Sequence, residues 1–245
     1  MNITKITLLF SRYFAENRRK SLQMLSVVFF CSAFFFFLDS QSGGAFSGLA
    51  VFIFYFAAMY LASTIFSIDM SRKENAMNYL LVPANSIEKV VSNLIIVHIF
   101  INIALLIALF AGIYLGTFFG SLYFQHPINF DVVSRFSTAI FTLDNILEFL
   151  GFQALLIFGS VYFRKGAFVK TLLTLGLFAL VLVLIGLSIF AIFHKETGYY
   201  YPSVSIDDWL RGLMSNYEWL SNLQNVIGIF FCWILTFLRL RETEA

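Results

Sequence analysis

Asp69 to Asn93 reads DMSRKENAMNYLLVPANSIEKVVSN and forms a polar interruption between two long apolar runs of the chain. Because Pro83 has no amide hydrogen and restricts the residue before it, we expect a helix to end shortly before this position. Asn85 or Ser86 can then cap a new helix that continues into the next apolar run. Glu88 falls in the first turn of that helix, where a negative charge suits the helix dipole. The stretch therefore predicts a helix, a sharp turn and a short helix that leads into a membrane span.

The composition of the chain excludes a water-soluble fold. Of its 245 residues, 60% are hydrophobic and only 12% are charged, and the mean hydropathy is +0.84. Soluble domains are about 45–50% apolar and about 25% charged. The sequence therefore predicts an integral membrane protein with one membrane domain, and no basic cluster indicates nucleic-acid binding. Both cysteines, Cys31 and Cys232, lie in apolar runs, where we expect them to be unpaired.

Six apolar runs approach or exceed the roughly 20 residues that cross a bilayer. They are Leu22–Leu38, Gly48–Ile68, Leu94–Phe119, Ile146–Phe163, Thr171–Phe193 and Leu220–Leu238. With six spans, 13 of the 16 Lys and Arg residues fall on the side that holds both termini. Since cytoplasmic loops carry the excess of basic residues, we expect both termini in the cytoplasm and a multi-pass chain in the plasma (cytoplasmic) membrane.

Two segments outside these runs are predicted to form amphipathic helices. Residues 1–20 carry apolar side chains at helical spacing from Ile3 to Phe14, together with five basic residues. This pattern is typical of a helix that lies on a membrane surface, and it differs from the order of charges and apolar core in a signal peptide. Residues 194–219, on the outer side, contain a second amphipathic pattern from Ile206 to Tyr217, directly before the last span.

The centre of the polar stretch resembles the cytoplasmic loop between the first two transmembrane hairpins of ABC-2-type ABC transporter permeases. The matching residues are Leu80, Leu81, Pro83, Ala84, Glu88 and Lys89. The chain departs from the family pattern at Asn85, where Ser is usual, and at Val82, where Leu is common. The resemblance also covers the basic amphipathic start, the six spans and the outer helical segment. It implies an all-α integral membrane protein with six transmembrane helices, an ABC-2 (type V exporter) permease-like fold, and an elbow helix at residues 1–20.

The function that this resemblance implies is that of a membrane-spanning permease subunit of an ATP-driven exporter. A separate ABC ATPase subunit would bind ATP and Mg, so this chain would hold no cofactor and would not itself be an enzyme. A homodimer, or a heterodimer with a second permease, would supply the usual twelve spans. Residues 69–93 would be the coupling loop, and the residues implied to couple to the ATPase are Glu74, Pro83, Ser86, Glu88 and Lys89. The substrate class, whether lipid, peptide, drug or ion, stays open.

Four polar residues inside the predicted spans are candidate functional residues, because polar groups are costly in lipid. His98 and Asn102 lie at i and i+4 on one face of the third span, and Glu148 and Gln153 lie in the outer part of the fourth. They line a translocation path in one interpretation and hydrogen-bond between packed helices in the other. In the family context, the outer helix before the last span shields the outer end of such a path; alternatively, its Trp and Tyr anchor it at the interface.

Several motifs of catalysis are absent from the sequence. It contains no G-x-x-x-x-G-K-[ST] phosphate loop, no G-x-S-x-G elbow and no H-E-x-x-H zinc motif. The three histidines, His98, His126 and His194, are far apart in the predicted topology, so we expect neither a metal site nor a membrane hydrolase. The alternative to an exporter subunit is a multi-span protein that works without an ATPase, such as a small carrier, a channel or a toxin-immunity protein.

Overall fold

The computed structural model describes residues 3–42, 46–66, 84–125, 140–163, 165–196 and 218–244, and these are almost entirely helical. The helices are α1 (Ile3–Ser42), α2 (Ser47–Thr64), α3 (Ser86–Ile95), a π-helix (Ile96–Ile101), α4 (Asn102–Phe124), α5 (Leu143–Tyr162), α6 (Ala167–Glu196) and α7 (Glu218–Glu244). A helix is the expected form of such apolar runs, because it satisfies its backbone hydrogen bonds internally in lipid. Glu74, Pro83 and the predicted outer helix at 206–217 lie outside the described residues.

Six helical segments of the described chain are long and apolar enough to cross a membrane. By length and composition, this confirms the predicted number of spans. They are Thr7–Gln41, Ser47–Thr64, Ser86–Phe124, Leu143–Tyr162, Ala167–Ile189 and Asn222–Glu242. The third segment has 39 residues, because α3, the π-helix and α4 follow one another without a break. The predicted short helix at Ser86 therefore does lead directly into the third span.

Helix α1 is continuous through Lys20, where the sequence predicted a boundary between an interfacial helix and the first span. Its 40 residues correspond to about 60 Å, twice the ~30 Å thickness of a bilayer core. The N-terminal half contacts the π-helix through two edge-on aromatic pairs, because the rings of Phe10 and Phe14 lie 5.1 and 6.4 Å from that of Phe100. That residues 1–20 lie along the membrane surface stays a prediction.

A row of glycines on α4 allows α1 and α4 to pack closely in parallel. Gly112, Gly116 and Gly120 are all buried and recur every four residues, so they lie on one face of the helix. A Cβ atom at Gly116 would overlap the carbonyl oxygen of Ala33 and lie 3.0 Å from its Cα. At Gly120 the neighbour is Ser40 on α1. Small residues at this spacing are the usual device for close helix packing in membranes.

The buried core lies where α1, α2, α4 and α5 meet. Its largest fully buried side chains include Phe36, Phe54, Leu105, Leu109 and Leu156. Leu240 of α7 also belongs to this core, which therefore draws on five of the six spans.

Helix α6 packs on α5 only near its N-terminal end, where Thr171 lies against Gly159. From Leu172 to Ile189 its apolar side chains are largely exposed. The two cysteines are unpaired, as predicted.

Candidate functional site

A buried polar cluster joins the third span to the fourth. Gln153, which is fully buried on α5, exchanges two hydrogen bonds with Asn102 at the start of α4. Gln153 Nε2 donates to Asn102 Oδ1 at 2.8 Å, and Asn102 Nδ2 donates to Gln153 Oε1 at 3.1 Å. His98 Nδ1 lies 3.0 Å from the same Gln153 Oε1. Three of the four polar residues that the sequence singled out therefore meet at one site.

The hydrogen bonds fix the tautomer of neutral His98. Asn102 Nδ2 also donates to the backbone carbonyl of His98 at 3.1 Å, which sets the orientation of the Asn102 amide. That orientation in turn sets the amide of Gln153, whose Oε1 can only accept. Since His98 Nδ1 faces this oxygen, it must carry the hydrogen, and Nε2 is left as an acceptor.

Trp233 on α7 brings a fourth polar group to the cluster. Its ring centroid lies 5.5 Å from that of His98. Among the described residues, neither His98 Nε2 nor Trp233 Nε1 has a hydrogen-bond partner, although both atoms are buried. The two neighbouring rings thus carry one unmet acceptor and one unmet donor, and an unpaired buried polar group typically costs about 1–3 kcal/mol.

The π-helix that carries His98 was not foreseen from the sequence. Its hydrogen bonds join residues five apart, and such turns are rare and frequently occur at functional sites. The pairing of His98 with Asn102 on one face was predicted, and the structure brings both to Gln153. The observed contacts are those of hydrogen bonding between packed helices, which was one of the two interpretations. That these residues line a path stays a prediction.

Glu148 does not join this cluster. It is exposed on α5 and lies in a cleft between α2 and α5, which we call the Glu148 cleft. The cleft has a volume of about 440 Å³ and is lined by Val51, Phe52, Tyr55, Phe56, Met59, Ile140, Asn145, Glu148, Phe149 and Phe152. Glu148 and Gln153, which the sequence analysis grouped on the fourth span, therefore lie in two different environments.

The coupling residues that the structure describes are Ser86, Glu88 and Lys89, in the first turn of α3. The backbone N–H of Asn85 donates to Glu88 Oε2 at 3.2 Å, which completes a capping box with Asn85 as the N-cap. Glu88 is 5% exposed and Lys89 is 2% exposed, and both are engaged within the chain. The sequence indicated charged contacts to a partner at these two positions, whereas the side chain of α3 that is exposed is Ile87, at 56%.

A second polar contact holds the start of α5 against α7. Asn222 Nδ2 donates to Asp144 Oδ1 at 2.6 Å. No pattern in the sequence indicated this pair. In the described part of the chain, no group of three or more His, Cys, Asp or Glu side chains is placed to hold a metal ion.

Six long apolar helices and a polar cluster buried between them define a multi-pass α-helical membrane protein. Comparison with known protein families, with curated proteins and with solved structures finds no match to this chain. The more particular function therefore rests on the motif residues of the polar stretch and on the geometry around them.

Proposed function

We propose that this chain is the membrane-spanning permease subunit of an ATP-driven exporter of the ABC-2 type. The observation that carries the proposal is the position of α3. This helix starts at a capping box next to the Leu-Leu-Val-Pro-Ala segment and continues without a break into the π-helix and α4, with which it forms the 39-residue third span. A short helix at the entry of a span is the part through which a separate ATPase can act on the membrane domain.

The proposed mechanism is mechanical. The ATPase subunit would bind ATP and Mg, and its closure would push on α3 from the cytoplasm. Helix α3 is the first part of the third span, and it packs against α1 and α7. A displacement of α3 would therefore be transmitted to three spans. The buried Glu88 and Lys89 favour movement of α3 as one rigid unit, because separating them from their surroundings would expose or strand charges. Two permease chains, either identical or related, would enclose the path, with both termini in the cytoplasm.

The experiment is a pull-down of the tagged chain from native membranes, with identification of the proteins that come with it. We expect an ABC ATPase to co-purify with the wild-type chain. Ile87→Ser should weaken that association and the substrate-stimulated ATP hydrolysis, because Ile87 is the exposed apolar side chain of α3. Ile107→Ser is the matched control, since Ile107 is 64% exposed but lies on α4, about 30 Å further along the third span.

Two results would contradict the proposal. One is a wild-type chain that brings no ATPase with it from its own membranes. The other is equal association of the Ile87→Ser and Ile107→Ser chains with the ATPase. The first result would favour the second candidate, a carrier or channel without an ATPase, for which the unmet nitrogens of His98 and Trp233 are the specific observation. The second result would exclude α3 as the contact to the ATPase and so remove the observation that carries the proposal.

A further inference from the structure

The Glu148 cleft has the size and lining of a small-molecule site. Its volume of about 440 Å³ falls within the roughly 300–1,000 Å³ range of ligand pockets. It lies between α2 and α5, and it is open at the side of the helix pair, because Phe52, Phe56 and Phe152 on its rim are 65, 46 and 50% exposed. A ligand could therefore enter laterally, from the membrane.

Glu148 is the charged group of this cleft. Among the residues that the structure describes, no cation and no hydrogen-bond donor pairs with its carboxylate, and none of the described lining residues is Lys, Arg or His. The residue is the sixth of α5, so it lies about 7–8 Å from the start of a helix that is long enough to span the bilayer. An ionisable group inside a membrane span, with no partner in the described part of the chain, is a candidate functional residue.

The aromatic walls of the cleft also favour a positively charged ligand. Five aromatic side chains line the cleft, namely Phe52, Tyr55, Phe56, Phe149 and Phe152. Tyr55 and Phe149 form an edge-to-face pair with centroids 4.9 Å apart, and Phe52 stacks on Phe56 at 6.3 Å. The faces of aromatic rings carry negative potential and attract cations, especially organic cations that are weakly hydrated.

We propose that the Glu148 cleft binds a hydrophobic monocation, in which one ammonium or phosphonium centre faces Glu148 and apolar groups fill the aromatic part of the cleft. A single carboxylate balances a single charge, and aromatic walls accept an apolar body but leave a small inorganic cation poorly solvated. The proposal does not depend on an ATPase partner, because it concerns binding to this chain alone.

The probe is tetraphenylphosphonium, measured by equilibrium binding to the purified full chain in nanodiscs of phosphatidylglycerol, with empty discs subtracted. We expect Glu148→Gln to weaken binding at least about tenfold, since it removes the charge and keeps the shape of the side chain. Glu148→Asp, which retains the charge, should lose less. Phe152→Ala should weaken binding severalfold, whereas Phe118→Ala should not, because Phe118 is equally exposed but lies on α4 outside the cleft.

The charge of the probe provides the decisive control. Tetraphenylborate has nearly the same shape with a negative charge, so its binding should not fall when Glu148 is replaced by Gln. A further arm adds phosphatidylethanolamine to the discs. Competition with the probe would identify a lipid amine as the natural source of the cation, and its absence would identify a soluble one. Equal binding of tetraphenylphosphonium to wild-type and Glu148→Gln chains would overturn the proposal, as would equal losses for Phe152→Ala and Phe118→Ala.

Discussion

The close contact between α1 and α4 at Gly116 allows us to predict how much one added methyl group changes the stability of the protein. In Gly116→Ala, the new Cβ would overlap the carbonyl oxygen of Ala33 and approach its Cα to 3.0 Å, so the neighbours that must move are backbone atoms. Relief requires the two helices to separate by roughly 1 Å, because non-bonded carbon atoms rest at about 3.5–4.0 Å. Overpacking of this kind typically costs about 1–3 kcal/mol.

The higher helix propensity of alanine stabilises a helix, and this effect opposes the cost of overpacking. A glycine with free space around it therefore provides the control. Replacing Gly by Ala inside a helix is favourable by about 1 kcal/mol where space permits. Gly176 on α6 has no atom within 4 Å of an added Cβ, so Gly176→Ala should be neutral or stabilising. The two substitutions are chemically identical, and the structure predicts opposite signs for their effects on stability.

The assay is thermal unfolding of the purified chains in detergent, with the midpoint compared among wild type, Gly116→Ala and Gly176→Ala. We expect a lower midpoint for Gly116→Ala and an unchanged or higher one for Gly176→Ala. If Gly116→Ala is as stable as Gly176→Ala, the backbones of α1 and α4 are not in contact at Ala33, and the packing described here is refuted.

Two further predictions concern the polar contacts. Gln153→Leu should lower the free energy of unfolding by about 1–3 kcal/mol, because it leaves the buried amide of Asn102 without its partner. Gln224→Leu, at an exposed position, should change this free energy little. Equal stability of both variants in a denaturation series would contradict the hydrogen bonds between Gln153 and Asn102. Asn222→Ala should cost about 1 kcal/mol, because it removes the donor to Asp144, and an unchanged unfolding midpoint would show that this contact contributes nothing.

Much of the fold follows from one physical constraint that the sequence displays directly. Apolar runs of about 20 residues must form helices in lipid, so the number of spans and the helix that starts at Ser86 were both predictable. The position of Glu88 in the first turn and an N-cap at Asn85 or Ser86 were also predictable, because capping depends on neighbours in sequence, and the N-cap is Asn85. Local rules sufficed for each of these features.

The packing between helices was harder to predict, because it depends on residues far apart in the chain. The spacing of Gly112, Gly116 and Gly120 is a signal that could have indicated a close helix contact, although not that α1 is the partner. The burial of Glu88 and Lys89 carried no sequence signal, since charged residues at the start of a helix are usually solvated. The helix that carries them packs against α1 and α7, which are far from it in the sequence.

The candidate site was predicted in its members but not in its arrangement. His98 and Asn102 share a helix, so their common face followed from spacing alone. That Gln153 joins them and Glu148 does not depends on how α5 is rotated against α2 and α4, which no local pattern reports. Trp233 was missed because a tryptophan in a span is ordinarily a packing residue. Only the structure shows that its ring lies next to that of His98 and brings a polar group to the cluster.

The π-helix has a consequence for the angular phase of the third span. In a regular α-helix an additional residue would rotate everything beyond it by about 100°. A π-turn, whose hydrogen bonds join residues five apart, takes up such a residue within one turn. Deleting one residue between Ile96 and Ile101 should therefore convert this turn to ordinary α-helix and leave α3 and α4 in nearly the same relative orientation, with Glu88 and Lys89 still buried. Inserting one residue into α4 after Leu105 meets no such turn, and it should rotate α3 by about 100° against the rest of α4.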